Sequence, residues 1–239
     1  MRDPGFDYID NRSSFFQPKT PFAALKAAEE GLLPAEAYIY MATSVEAIAD
    51  NPEHLEEIER ILGQRNRDLK TNLLLIEVLG KLIKNKDKEI ALFAAESINA
   101  IENDYNRKIE ALPEDEYREK ARTYSEMAVL NKSVHDLQNF YLREAFSNFR
   151  QLERLHELTV DDSLAMSQIL IDLDLLTQAR KIITDKQLHT PEALFILADI
   201  AFRQRDYSEL FKIISRLNEL RSILDSDQTI IIDFWMEKE

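Results

Sequence analysis

The sequence PEALFILADIAFRQRDYSELFKIISRL, which runs from Pro191 to Leu217, decides the fold of this chain. Its apolar residues recur every three or four positions on both sides of Asp206, which is the pattern of two amphipathic helices joined by a short turn. Thr190 and Pro191 fit the N-cap and the first position of the first helix. The segment therefore predicts a helical hairpin. Its predicted packing positions are Leu194, Leu197, Ala198, Ala201, Leu210, Ile214 and Leu217.

The same plan occurs immediately upstream. The sequence SLAMSQILIDLDLLTQARKIITDKQL, residues 163–188, also predicts two short amphipathic helices. Ala179 takes the place that Leu210 takes 31 residues later, which sets the repeat period. Both segments resemble tetratricopeptide (TPR) repeats, whose usual period is about 34 residues. The upstream packing positions are Met166, Ser167, Leu170, Leu176, Ala179 and Ile183.

The TPR resemblance implies a protein-binding groove lined by first-helix residues that are not used for packing. Those residues are Gln168, Asp172, Glu192, Phe195, Asp199, Phe202 and Arg203, together with Asp161, Leu164 and Ile171 of the upstream repeat. Phe195, Phe202 and Arg203 form the candidate hot spot, because aromatic residues and arginine dominate protein interfaces. The alternative is that both phenylalanines pack beneath the neighbouring repeat or beneath a C-terminal cap containing Phe234 and Trp235.

The N-terminal part also has a helical pattern, after an extended arm over residues 1–20. Apolar spacing predicts helices over residues 22–30, 34–49, 53–62, 68–84 and 89–112. The last two resemble a HEAT-type repeat, because their turn carries Asp87 and the second helix has a central Ala-Ala followed by Ile98 and Ile101. The expected buried stripe of the helix over 68–84 is Leu69, Leu73, Ile76, Leu79 and Ile83.

The expected fold class is all-α, with stacked antiparallel helical hairpins forming an α-solenoid. Residues 21–112 make its HEAT-like part, and residues 113–239 make its TPR-like part with a C-terminal cap. Residues 114–158 are either one hairpin or one long helix. Their aromatic residues are expected in the core, since aromatics at helical spacing bury large areas. These are Phe140, Tyr141, Phe146 and Phe149.

Glycine and cysteine exclude several classes of site. The chain has four glycines, the last being Gly80, so a P-loop, a dinucleotide-binding turn and a G-x-S-x-G elbow cannot be written. With no cysteine, disulfides and thiolate sites are excluded.

No two of the four histidines are within four residues of each other, so no helical metal pair is predicted. The pair Asp161-Asp162 precedes a predicted helix, where acids complement the helix dipole.

The charge of the chain also limits its partners. Residues 1–120 carry −8 and residues 121–239 carry −6, for a net charge of −14. A uniformly acidic surface repels phosphate backbones, so we expect no nucleic-acid partner, and the HEAT-like DNA glycosylases are rejected as a class. The longest apolar runs are six residues, against about 20 for a membrane span, so no direct membrane insertion is expected. The charged first twenty residues are not expected to be a signal peptide.

These patterns predict a non-catalytic scaffold or adaptor that binds a protein or peptide in the concave groove. We expect no cofactor, no metal site and a cytoplasmic location, with a partner as the route to a membrane. The combination of HEAT-like and TPR-like parts is similar to the soluble part of PelE-type components of bacterial polysaccharide export, which implies assembly of a membrane or secretion complex. One alternative is an enzyme or small-ligand protein that uses the concave face, and HEAT-type bilin lyases belong to that class. Another is a homo-oligomer formed through the arm or through Phe234 and Trp235.

Overall fold

A computed structural model describes residues 52–64 and 67–236 of the chain. Every regular element in these ranges is helical, which confirms the all-α class for them. The α-helices are α1 (Pro52–Leu62), α2 (Leu69–Leu82), α3 (Lys88–Ala111), α4 (Tyr117–Leu130), α5 (His135–Arg154), α6 (Val160–Asp172), α7 (Leu176–Asp185), α8 (Pro191–Arg203), α9 (Tyr207–Glu219) and α10 (Ser226–Met236), with a 3₁₀ turn at Arg221–Ile223. The predicted arm over 1–20 and the predicted helices over 22–30 and 34–49 lie outside the described residues.

The chain divides into two compact units, of which the first ends at Ala111 and the second begins at Leu112. In the first unit, α2 packs against α3. In the second unit, the helices pair in chain order, α4 with α5, α6 with α7, and α8 with α9. The pairs are joined further, because α6 also contacts α5 and α8, α7 contacts α8, and α10 contacts α9.

The buried face of α2 differs from the predicted one. Leu75, Leu79 and Leu82 are buried, whereas Ile83, expected in the core, is 43% exposed. Ile83 is the C-cap of α2, one residue beyond the last helical residue. The buried face also includes a polar residue, Asn72, whose side-chain amide donates a hydrogen bond to the Tyr105 hydroxyl at 3.2 Å. That bond keeps the face carrying Asn72 toward α3, because a buried amide without a partner would be unfavourable.

Residues 114–158 form two helices, which answers the question that the sequence left open. A turn over residues 131–134 separates α4 from α5, and the two pack along each other. Tyr141 and Phe149 are buried as expected, but Phe140 is 53% exposed, so its placement in the core was wrong. The buried stripe of α5 includes Leu142, and Phe140 points about 200° away from it, because successive helical residues are about 100° apart.

The two segments with the 31-residue period form α6–α7 and α8–α9, and their helix starts are built alike. Thr190 is the N-cap of α8, as predicted, and its side chain accepts a hydrogen bond from the Ala193 amide at 3.3 Å. Thr159, 31 residues earlier, caps α6 in the same way through the Asp162 amide at 3.1 Å. Most predicted packing positions are buried, namely Met166, Ser167, Leu170, Ala179, Ile183, Leu194, Ala198, Ala201, Leu210, Ile214 and Leu217.

The helix ends repeat as well, without the glycines that usually close helices. His156, Asp174, Gln187 and Arg205 follow the ends of α5, α6, α7 and α8, and each has φ between 51° and 59°. The residue after each one donates a backbone hydrogen bond to the carbonyl five residues earlier, for example Leu175 to Leu170 at 2.7 Å. This is the Schellman arrangement. His156 and Gln187, like Asp174 and Arg205, are 31 residues apart, so the helix ends share the period of the caps.

Candidate protein-binding surface

The groove residues predicted on α6 and α8 are called the first-helix face here. They are Gln168, Asp172, Glu192, Phe195, Asp199, Phe202 and Arg203. Glu192, Phe202 and Arg203 are exposed on α8, and Asp199 is half-buried beside them. These α8 residues recur at three- and four-residue intervals, so helix geometry places them on one side of α8. On α6, Gln168 and Asp172 are exposed one turn apart, and the Gln168 side-chain nitrogen donates to Asp172 Oδ1 at 3.3 Å.

Arg203 connects the two helices of this face. Its Nε donates to Asp199 Oδ1 at 3.0 Å, which fixes the guanidinium along α8. Its Nη1 makes a long hydrogen bond of 3.5 Å to the backbone oxygen of Ile171, in the last turn of α6. A cation is favourable there, because the carbonyls at a helix C-terminus carry partial negative charge. The predicted residues of the two repeats are therefore brought together at Arg203.

The charged groups around Arg203 shift the pKa values of Asp172 and of Arg203 itself. Asp172 is exposed as a residue, but partial desolvation of its carboxylate raises the pKa of Asp172, and the nearby Asp199 charge adds to that rise, whereas Gln168, Arg203 and Lys132 oppose it. The hydrogen bond to Asp199 is the main reason that the pKa of Arg203 is raised, and the charges of Asp172 and Asp174 contribute further. The face therefore presents one fixed cation within a group of carboxylates.

Phe202 joins the first-helix face to an aromatic cluster centred on Trp235. The ring of Trp235 makes edge contacts with Phe202, Phe211 and Phe234, at centroid distances of 5.6, 6.2 and 5.4 Å. The predicted packing of Phe202 against the C-terminal cap is thus present in part. Phe202 nevertheless stays 47% exposed, and Phe211 and Phe234 are exposed too. The result is an aromatic surface that runs from α8 onto α9 and α10.

Three of the residues predicted in the groove are not fully available on it, and one of them is Leu164, which is half-buried against the core around Leu170. Ile171 is fully buried, so its placement on the surface was wrong: it lies in the core with Ile196 and Ile200 of α8. Its equivalent 31 residues later is Phe202, which α10 covers only partly. Phe195 is half-buried and packs against the core around Leu194, which leaves Phe202 and Arg203 as the accessible part of the predicted hot spot.

The sequence pattern did not indicate the roles of Trp235 and Phe211 on this surface. Trp235 was expected in a C-terminal cap that covers Phe202 or joins two copies of the chain, and Phe211 was not singled out at all. The available signal was the helical period, since Phe211 lies one residue after the packing position Leu210 and therefore at the edge of the buried stripe of α9. Nothing in that pattern shows that α10 returns to the same place.

The described ranges contain neither a metal-binding cluster nor a membrane-spanning helix. No group of three or more histidine and carboxylate side chains there is arranged to hold a metal ion. None of the helices over 52–64 and 67–236 combines the length and apolarity needed to cross a bilayer.

Comparison with known proteins gives no family for this chain. No family model, no curated protein and no solved structure matches it.

Proposed function

We propose that this protein is a non-catalytic scaffold that binds a protein or peptide partner over the first-helix face. The observation that carries the proposal is the pairing of Phe202 with Arg203, an exposed aromatic ring beside a guanidinium whose position is fixed by Asp199 and by the end of α6. Aromatic residues and arginine supply most of the binding energy in protein interfaces. Here they adjoin three further aromatic rings, which extends the apolar part of the surface.

The proposal includes an α-solenoid built from stacked antiparallel hairpins. Its support is the period of 31 residues, which the caps Thr159 and Thr190 share with the left-handed residues Asp174 and Arg205. Contacts between α6 and α8 agree with stacking of successive first helices. An ion pair from Arg180 of α7 to Glu209 of α9, at 2.6 Å, connects successive second helices. A stacked arrangement of this kind holds a binding face rigid, so little ordering entropy is lost on association.

In the cell, we propose a cytoplasmic role in the assembly of a membrane or secretion complex. The support is the similarity of the HEAT-like and TPR-like parts to PelE-type export components, together with the charge of −14, which disfavours direct contact with nucleic acid or anionic lipid. The partner would supply the contact with the membrane.

Photo-crosslinking in the source cell tests this function. A photoreactive phenylalanine analogue replaces Gln168 or Glu192, which are exposed on the first-helix face, and in a third variant it replaces Arg216, which is exposed on α9. We expect one protein to be attached through the first two positions and not through the third. Equal attachment through all three positions, or attachment only to another copy of this chain, would contradict the proposal.

A further inference from the structure

A cleft of about 360 Å³ opens in the second unit, away from the first-helix face. It lies between α5 and α7, with α6 beneath it, and Met166 and Leu170 are the α6 residues that line it. Residues at i and i+4 share a side of a helix, whereas residues two apart point about 200° from each other. Gln168 and Asp172 therefore lie on the opposite side of α6 from Met166 and Leu170. The cleft and the first-helix face are two separate surfaces.

The floor of the cleft is apolar. It consists of Phe146, Met166, Leu170 and Ile182. Met166 and Leu170 are almost completely buried, whereas Phe146 and Ile182 are half-buried and pack against the core around Leu170. A methionine in such a floor adapts to different apolar groups, because its side chain is unbranched and polarisable. The floor is suited to one large apolar side chain.

The rim of the cleft is charged. Arg150 pairs with Glu153, so these two charges compensate each other on the α5 side. On the α7 side, the exposed Lys181 and Lys186 form no ion pair with any described residue, although Asp185 lies between them in sequence. Asp185 lines the cleft with them, so the α7 side of the rim carries two positive charges and one negative charge over an apolar floor, in a chain whose net charge is −14. Their natural complement is a ligand with carboxylates next to an apolar group.

We infer that this cleft binds an acidic peptide segment of a partner protein, which inserts one large apolar side chain between α5 and α7 and brings carboxylates to Lys181 and Lys186. The two lysines are five residues apart, or about 7.5 Å along the helix axis. Separated cations of this kind match carboxylates on successive peptide side chains better than the single carboxylate of a small amphiphile. The lysines also repel basic segments, so they supply specificity as well as attraction.

Selection from a display library of random twelve-residue peptides against the full chain tests the inference. We expect the selected peptides to share a large apolar residue with two or more aspartates or glutamates within three positions of it. Their affinity, measured by fluorescence anisotropy, should fall at least tenfold in the double variant Lys181→Glu, Lys186→Glu. It should also weaken as salt is added, because exposed charges are screened.

Two further double variants show whether the peptides bind in the cleft or elsewhere on the chain. Lys84→Glu, Lys86→Glu makes the same charge change on lysines of the first unit and should leave the affinity within twofold. Phe202→Ala, Arg203→Glu alters the first-helix face and should also leave it within twofold. The inference is overturned if no acidic motif is selected, if the Lys181, Lys186 variant binds like the wild type, or if binding is lost in the Phe202, Arg203 variant. The cleft and the proposed scaffold function can therefore fail independently.

Discussion

Asp162 is a buried carboxylate that its neighbours keep charged. Its Oδ2 accepts hydrogen bonds from the Thr159 amide and from Arg118 Nε, both at 3.0 Å. Arg118 also donates to the backbone oxygen of Glu157 at 2.7 Å, so it ties α4 to the start of α6. Burial by itself would raise the pKa of Asp162, but the bonds from Thr159 and Arg118 outweigh burial, and the pKa lies below its ordinary value.

The depressed pKa predicts how stability depends on pH. The charged form of Asp162 is favoured in the folded state, so its contribution is complete above the unfolded-state pKa of about 3.9 and is lost as the pH falls further. Asp162→Asn should lower the free energy of unfolding by about 1.5–3 kcal/mol at pH 7, because it removes hydrogen bonds to a charged group. The difference from wild type, measured by urea titration, should shrink below about pH 4.

The neighbouring acid provides the control for that experiment. Asp161→Asn removes an exposed carboxylate in the same helical turn and should change stability by less than about 0.5 kcal/mol. If Asp162→Asn were as mild as Asp161→Asn at pH 7, or if its effect did not depend on pH, the ion pair with Arg118 would not stabilise the fold.

Substitution by glycine should change stability in opposite directions at a left-handed position and within a helix. Gln187 has φ of 51° after α7, where a side chain is unfavourable by about 1 kcal/mol, so Gln187→Gly should stabilise the protein by up to that amount. Gln178 lies in the first turn of α7, where Gln178→Gly should destabilise by up to about 1 kcal/mol because glycine has a low helix propensity. Thermal unfolding measures both. A loss of stability in both variants would contradict the helix-end geometry.

The role of a single residue can be predicted from the sequence when it depends on residues close to it in the chain. The N-cap role of Thr190 follows from Thr-Pro before an apolar run, and the structure confirms it. The prediction of an acidic residue at the start of α6 also depends only on neighbouring residues, and Asp162 lies in the first turn of that helix. Its partner Arg118 is 44 residues away, and a pattern with a period of a few residues contains no signal for that contact.

At the scale of elements, α10 packs against the rest of the second unit through one fully buried side chain and several partial contacts. Ile232 is fully buried against the core that α8 and α9 form, whereas the adjacent Ile231 is 46% exposed. Arg221 and Asp233 add an exposed ion pair with two hydrogen bonds, at 2.7 and 2.8 Å, which joins the 3₁₀ turn to α10. The docking of α10 determines where Trp235 meets Phe202.

The two isoleucines of α10 make a matched pair for testing that docking. Ile232→Ala should lower the free energy of unfolding by about 2–5 kcal/mol through lost burial and cavity formation. Ile231→Ala, on the exposed side of the same helix, should change it by less than about 1 kcal/mol. Urea titration followed by circular dichroism distinguishes them, and equal effects would show that α10 does not pack as described.

Helices were predictable as elements, but which side of a helix is buried was less so. Periodicity predicted α2 over 68–84, close to the observed Leu69–Leu82, yet it placed Ile83 inside. A hydrophobic pattern assigns every polar residue to the outside, so it could not anticipate that Asn72 would be buried by bonding to Tyr105. The prediction that Phe140 is buried was wrong for a related reason. Apolar character alone does not show that Phe140 lies outside the buried stripe of α5.

At the scale of the whole molecule, the second unit has its own core. Two connected groups of buried residues, one around Leu170 and Ile200 and one around Leu210 and Ile232, come entirely from residues after Leu112. A core of this kind should fold without the first unit. We expect residues 112–239, expressed alone, to unfold cooperatively in urea and to keep the near-ultraviolet signal of Trp235. A gradual, non-cooperative loss of helix would contradict that independence.

The sequence predicted some of the exposed residues on α8 and missed the residues of α9 that lie beside them. The TPR resemblance selected Arg203 and Phe202 together, and the structure places both on accessible parts of α8. It offered Trp235 as a cap over Phe202 and did not place Phe211 beside it, since the contact between Trp235 and Phe211 depends on the direction in which the chain returns after α9. The cleft between α5 and α7 was not predicted either, because a cleft is a property of three helices and not of one repeat.

Binding of a partner to the first-helix face is tested most directly by a quantitative pull-down with matched variants. Phe202→Ala, Arg203→Glu alters that face, whereas Phe140→Ala, Arg143→Glu makes the same changes on exposed residues of α5. Circular dichroism first verifies that both variants are folded. We predict that a protein retained by the wild type at moderate salt, identified by mass spectrometry, is retained by the α5 variant and lost with the α8 variant. Equal retention by all three, or retention of nothing by the wild type, would contradict a binding role for this face.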